Sequence, residues 1–197
     1  TAPMVAACLK ARAHYLDITG EIAVFEAIAR RDAEAREAGV CLIPGVGFDV
    51  VPTDCIAAKL SDAMADAVDL RLAYLAGGGL SRGTFKTMIE GLKQPGLLRR
   101  DGRIVPVPFA FEVREIEFSC GRRWAMTFPW GDVSTAYRTT GLLDIRVYIG
   151  TPLRRIKLLK RLVRFASLWT GAAMKRLIGW LVSRTVSGPD EKACANT

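Results

Sequence analysis

His14 to Glu21 reads HYLDITGE and Cys41 to Asp54 reads CLIPGVGFDVVPTD, and the way these two stretches are joined decides the fold. The first is a short strand, His14 to Ile18, rich in aromatic and β-branched residues and broken by Thr19-Gly20-Glu21. After it, Ile22, Phe25 and Ile28-Ala29 recur at helical spacing, with Glu26, Arg30, Arg31, Asp32, Glu34, Arg36 and Glu37 on the other face, so one amphipathic helix is expected up to Gly39. Val40 to Ile43 is an unbroken apolar run, the pattern of a strand covered on both faces of a parallel sheet. A right-handed crossover then places Thr19-Gly20-Glu21 and Pro44-Gly45-Val46-Gly47-Phe48-Asp49 on one carboxyl edge, the edge where open α/β sheets bind ligands.

Outward from this βαβ unit, residues 3–12 read as a helix feeding the first strand. Val51-Pro52-Thr53-Asp54 opens another helix, with Asp49 or Thr53 as its cap and with free amides that favour an anionic or carbonyl group. Val68 to Leu75 alternates as a half-buried strand. Beyond it lie a glycine-rich connection, Gly77 to Gly83, and a helix from about Thr84 to Leu92. Asp101-Gly102 turns a hairpin between 97–100 and 103–107, Cys120-Gly121 turns another between 112–118 and 123–128, and 144–149 adds a strand. From Leu153 to about Ser183 the chain is helical and basic, and beyond Ser187-Gly188-Pro189 it is polar.

The expected class is therefore α/β: the C-terminal half of a Rossmann-like parallel sheet (1–66), an α+β domain with an antiparallel sheet (67–150), and a basic helical segment with a polar tail (151–197). With half its residues hydrophobic, the chain has ample material for a core and is globular rather than disordered. The net charge of +8 sits mostly after Gly150, so it gives no reason to expect nucleic acid. Five scattered cysteines without C-x-x-C and a single histidine exclude a zinc site and a disulfide framework and fit a cytoplasmic protein, with membrane association through the basic segment as the variant.

Gly45-Val46-Gly47 has Val50 where a dinucleotide fingerprint has its third glycine, so the stretch is either a close-approach loop or a tight turn. Gly77, Gly79 and Gly83 are rejected as a cofactor loop, because antiparallel hairpins follow them. Glu21 is either a general acid or base or, more in keeping with its position, a complement to the helix dipole. His14, at the amino end of its strand, reads as a strand-edge residue. Trp130-Gly131-Asp132 could wall a pocket or lie in the core. The basic segment 153–184 reads first as a helix packing on its own domain, with peripheral membrane contact or a non-enzymatic interaction module as the alternative.

At HYLDITGE, PGVGFDVVPTD, GGLSRGT (78–84) and PWGDVSTAYRTTG (129–141) the chain resembles the saccharopine dehydrogenase-like family, in particular its trans-acting enoyl reductase branch. The resemblance implies a Rossmann domain binding NADP or NAD, an α+β domain for substrate and homodimer formation, and hydride transfer to an enoyl or imine-like double bond of a small-molecule or acyl-type substrate. It places Thr19, Gly20, Gly45, Gly47, Phe48 and Asp49 at the nicotinamide end of the cofactor, and Ser81, Arg82 and Trp130 by the substrate. It supplies no catalytic acid or base. The family's fingerprint strand and its C-terminal end are expected outside these residues, so this portion alone is expected to be inactive and to hold cofactor poorly.

Overall fold

The structure is a computed structural model, and it describes residues 1–48, 50–75 and 94–166. Among them are helices α1 (Ala2–Ala11), α2 (Ile22–Ala29), α3 (Asp32–Ala38), α4 (Val51–Ala63), α5 (Asp132–Thr140) and α6 (Leu153–Ala166), and strands β1 (Tyr15–Leu16), β2 (Leu42–Ile43), β3 (Asp69–Tyr74), β4 (Gly96–Arg100), β5 (Arg103–Val107), β6 (Val113–Phe118), β7 (Gly121–Thr127) and β8 (Asp144–Gly150). The chain is mixed α/β, with a small parallel sheet, β1-β2, and a six-stranded sheet in the order β5-β4-β8-β7-β6, β3 also pairing with β8. The expected helix 84–92, the glycines at 77–83 and the basic segment beyond 166 lie outside the described residues. No described helix is long and apolar enough to cross a membrane.

The chain forms two compact units. The first comprises Thr1–Leu72, Leu97–Pro106 and Pro129–Val147, and the second Ala73–Gly96, Val107–Phe128 and Tyr148–Thr197.

In the first unit, β1 and β2 pair in parallel, Tyr15 with Leu42 and Leu16 with Ile43. Because successive side chains alternate between faces, Tyr15 and Leu42 share one face and Leu16 and Ile43 the other. Tyr15 is buried with Val5 and Ile28, and Leu42 packs against them. On the opposite face Leu16 and Ile43 are 57 % and 46 % exposed. The expectation of a strand covered on both faces is thus corrected, since one face of β2 is bare.

The single helix expected over 22–39 is two. Arg30 and Arg31 break it, and Arg31 ends near φ −100°, ψ 16°, outside the helical region. The acids Asp32 and Glu34 in α3's first turn favour a fresh helix start, and Arg31 forks onto Glu34 at 2.9 and 2.7 Å. Gly39 ends α3 at φ +67°, as expected of a glycine after a helix. Helix α5 was not foreseen, because Val133, Thr135, Tyr137, Thr139 and Thr140 are poor helix formers. It is held by packing against α4 and α2, with Val133, Ser134 and Ala136 buried.

Asp101 (φ +48°) and Gly102 (φ +72°) make the expected hairpin turn between β4 and β5. Pro106 falls on β5, at an edge of the sheet, where its missing N–H leaves no ladder bond unmade. Leu70 and Leu72 of β3 are buried while Arg71 and Asp69 pair outward at 2.5 Å, the alternation read from the sequence.

In the second unit, β6 and β7 pair from Val113↔Met126 to Phe118↔Gly121, so the loop residues are Ser119-Cys120 and Gly121 carries the positive φ of 91°. The basic helix α6 lays Ile156 onto Ala110 and Met126, with Phe109, Val113, Phe128, Ile149 and Leu159 around them.

Candidate functional site

The carboxyl ends of β1 and β2 are tied together by one carboxylate. Asp17 accepts from the Tyr15 hydroxyl at 2.5 Å, the Thr19 amide at 3.0 Å and the Gly45 amide at 2.9 Å. The main chain repeats the link: the Asp17 amide donates to Ile43, and the Val46 amide to the Asp17 carbonyl at 2.8 Å. Burial alone would raise the Asp17 carboxyl, but the hydrogen bonds from Tyr15, Thr19 and Gly45 outweigh it and hold the group below its ordinary value. Burial, then the neighbouring Asp17, push the Tyr15 hydroxyl up.

The two glycine turns close on one aromatic ring. Gly45 sits at φ +74°, and a Cβ there would stand 2.5 Å from Phe25 Cζ. A Cβ on Gly131 would stand 2.8 Å from Phe25 Cε2 and 3.0 Å from Val50 Cγ2. Real Cβ atoms do not approach so closely, so both positions require glycine for space, and Gly45 for its backbone as well. PGVGFD and PWGD, far apart in sequence, therefore meet at Phe25 within the first unit.

Of the residues assigned from the sequence, Thr19 and Gly20 are half-buried in the loop after β1. Gly45 is buried, and Gly47 packs its Cα side against Ile18, where a Cβ would meet Ile18 Cβ at 3.2 Å. Phe48 is 86 % exposed. Trp130 is half-buried, and its carbonyl accepts from Val133 at the start of α5. Asp49, Ser81 and Arg82 lie outside the described residues. His14 accepts from the Cys41 amide at 3.0 Å, bridging the amino ends of the two strands. Glu21 stands exposed at the N-cap of α2 without a side-chain cap bond.

The start of α4 corrects one expectation. Among the described residues no side chain caps it: the Thr53 hydroxyl donates to the Val50 carbonyl at 2.9 Å, and Asp49, the other expected cap, lies outside them. The Val51 amide is spent on Gly47, Pro52 has none, and the Asp54 amide bonds Val50. Such a turn is a poor cradle for a phosphate, which needs several free amides. It is compatible with a group that is uncharged.

Two clusters went unnoticed in the sequence. Asp132, the first residue of α5, is 0 % exposed and lies against the Thr53 hydroxyl through Oδ1, while its Oδ2 has no hydrogen-bond partner among the described residues. Burial, with a smaller contribution from Asp54, pushes its carboxyl up to about 6 against the bond from Thr53. Its contact with Thr53 ties the start of α5 to the first turn of α4. The second cluster centres on Arg99, whose Nε donates to the Val133 carbonyl at 2.9 Å, one terminal nitrogen to Gly102 at 2.7 Å and the other to Glu26 at 3.2 Å. Its guanidinium lies 4.1 Å from the Tyr137 ring centre, and Glu26 also accepts from Ser134 at 2.5 Å. Burial pulls the Arg99 pKa down, opposed by Glu26. The acid at the start of a glycine-capped run, Gly131-Asp132, was the sequence signal for α5. Nothing local marks the Glu26–Arg99 pairing.

Replacing Asp17 with alanine strips partners from two amides and a hydroxyl and is expected to lower stability by about 2 kcal/mol at neutral pH. A group held below its ordinary value stabilises above that value and loses the contribution on acidification, so the gap between wild type and variant should close as pH falls below 3.8. Urea unfolding across that range measures it. An unchanged gap would show that Asp17 acts by packing alone.

Compared with family models and with curated proteins, the chain gives no match to either.

Proposed function

We propose that this chain is part of an NAD(P)-dependent oxidoreductase of the saccharopine dehydrogenase-like kind, in which residues 1–66 form the nicotinamide side of a Rossmann-like site and 67–150 belong to a substrate domain. The observation that carries the reading is the Asp17 clamp: two parallel strands whose carboxyl ends are locked together, with a glycine turn at that edge leading into α4.

The cofactor supplies the hydride; the chain's part is positioning and the exclusion of water. Thr19, Gly20, Gly45 and Gly47 would let the backbone come close to the nicotinamide ring, and Asp49 is assigned to it from the sequence. Phe48, an aromatic side chain standing in solvent, would lie against the ring once cofactor is present. Trp130, Ser81 and Arg82 are the residues assigned to the substrate, an enoyl or imine-like compound. The poverty of free amides at α4 agrees with a rim for the uncharged ring and leaves the pyrophosphate to be held elsewhere.

Calorimetric titration with NADPH and with nicotinamide mononucleotide tests this. Both are expected to bind with similar, roughly millimolar affinity, since only the nicotinamide half is contacted. Micromolar NADPH binding would contradict the half-site assignment, and absence of saturable heat with either ligand would remove the cofactor reading.

A further inference from the structure

Residues 145–189 contain no aspartate or glutamate, and α6, the helix described within this stretch, carries Arg154, Arg155, Lys157, Lys160, Arg161 and Arg164. The helix is anchored in the second unit by Ile156, which is buried, and by Leu159, so its orientation on that unit is set by packing. All six basic residues are exposed. Arg154, Arg155, Lys157, Lys160 and Arg161 form no ion pair among the described residues, whereas Arg31, Arg36, Arg71, Arg99, Arg114 and Arg122 each have a carboxylate. Five cations thus lie along one helix without a carboxylate partner among the described residues.

Leu158 stands among them, 56 % exposed. It is four residues after Arg154, three after Arg155 and three before Arg161, so on the helix surface those three guanidinium groups surround it. An aliphatic side chain ringed by long cations is suited to a bilayer interface, where the leucine enters the acyl boundary and the arginines reach the headgroups. The phosphate backbone that such cations contact on a nucleic acid offers that leucine no apolar partner. The sequence continues with Trp169 and Trp180 among Lys175, Arg176 and Arg184, the composition of an interfacial segment.

We infer that the cationic face of α6 docks the protein on an anionic membrane surface, with Leu158 inserted among the headgroups. This surface belongs to the second unit and stands independently of the cofactor reading.

Sedimentation of the whole chain with vesicles of phosphatidylcholine, alone or with about 30 % phosphatidylglycerol, tests it at about 0.1 M and about 0.5 M salt. Binding is expected only to the anionic vesicles and is expected to weaken at high salt. Each cation of α6 changed to glutamine should lower the affinity about fivefold, and the variant with Arg154, Arg155, Lys157, Lys160 and Arg161 all changed should no longer sediment. Leu158→Ser, a change at an exposed position, should lower vesicle binding about tenfold and leave any binding to duplex RNA unaltered. Equal binding to neutral vesicles, no binding to anionic ones, unchanged binding in either variant, or tighter binding to duplex RNA than to vesicles would each overturn the inference.

Discussion

Asp132→Asn is expected to make the protein more stable at neutral pH, by about 2–3 kcal/mol. The Asp132 carboxyl is pushed from its ordinary value of 3.8 to about 6, so the folded protein holds a proton that the unfolded chain has released. At about 1.4 kcal/mol per pKa unit, the ionised carboxylate destabilises the folded state by roughly 3 kcal/mol once the pH is above both values. The sign follows from proton binding: the native state binds more protons between pH 3.8 and about 6, so stability falls as pH rises through that window.

Proton bookkeeping at Thr53 agrees. Its single hydroxyl hydrogen has two acceptors nearby, the Val50 carbonyl and Asp132 Oδ1. When the hydroxyl donates to Val50, the contact with Asp132 is satisfied only if the acid carries the proton. An asparagine amide can donate to Thr53 in the same way without ever ionising. The melting temperature at pH 7.5 should rise by about 5–10 °C, and the pH dependence between 4 and 6 should flatten. A variant no more stable than wild type at neutral pH would show that the carboxylate finds solvation or a partner when ionised.

The reverse effect is expected at Arg99. Its side chain is almost wholly buried, it serves three acceptors and it lies over Tyr137. Replacement by methionine keeps much of the stem's volume but takes a donor from the Val133 and Gly102 carbonyls and leaves Glu26 without its buried partner. A loss of about 3–5 kcal/mol follows from removing one member of such a pair. Lysine should rescue little, because one ammonium group cannot reproduce a planar fork reaching three acceptors. Glu26→Gln, which can still accept from Ser134 and Arg99, should cost less than either. A double-mutant cycle between Glu26 and Arg99 measured by urea unfolding would separate the ion pair from the carbonyl bonds. If Arg99→Met lies within about 0.5 kcal/mol of wild type, the guanidinium is not what joins β4 to α5.

The contrast between these two positions shows what the sequence carries and what it does not. Turns and alternation were legible because their causes are local: Asp101-Gly102 can adopt positive φ, and Leu70 and Leu72 alternate with charged neighbours. The parallel pairing of HYL with CLI was legible for the same reason, through an apolar run following a helix. The break at Arg30-Arg31 was missed because both halves keep the same apolar spacing, and only the acids of Asp32-Ala33-Glu34 mark a new start.

Helix α5 was missed because its residues favour strands and its burial against α2 and α4 overrides that preference. At the candidate site, the glycine turn was recognised from PGVG. Its partner across Phe25, the turn at Gly131, depends on packing between residues far apart in the chain, and so do the Asp132–Thr53 and Arg99–Glu26 contacts. The bare face of β1 and β2 belongs to the same category. Leu16 and Ile43 look like core in the sequence because hydrophobicity alone does not say which face is covered.

Amide-shift mapping by NMR, titrating the labelled chain with nicotinamide mononucleotide at about 0.15 M salt, distinguishes a nicotinamide site at the carboxyl edge of β1 and β2 from a purely structural turn. Screening at that ionic strength weakens adventitious attraction of the phosphate to the α6 cations. The largest shifts are expected on Thr19, Gly20, Gly45 and Gly47, and they are expected to disappear in Asp17→Ala, where the two strand ends are no longer held together. Shifts confined to α6, or the same pattern surviving loss of the Asp17 clamp, would contradict the assignment of this edge as a nicotinamide site.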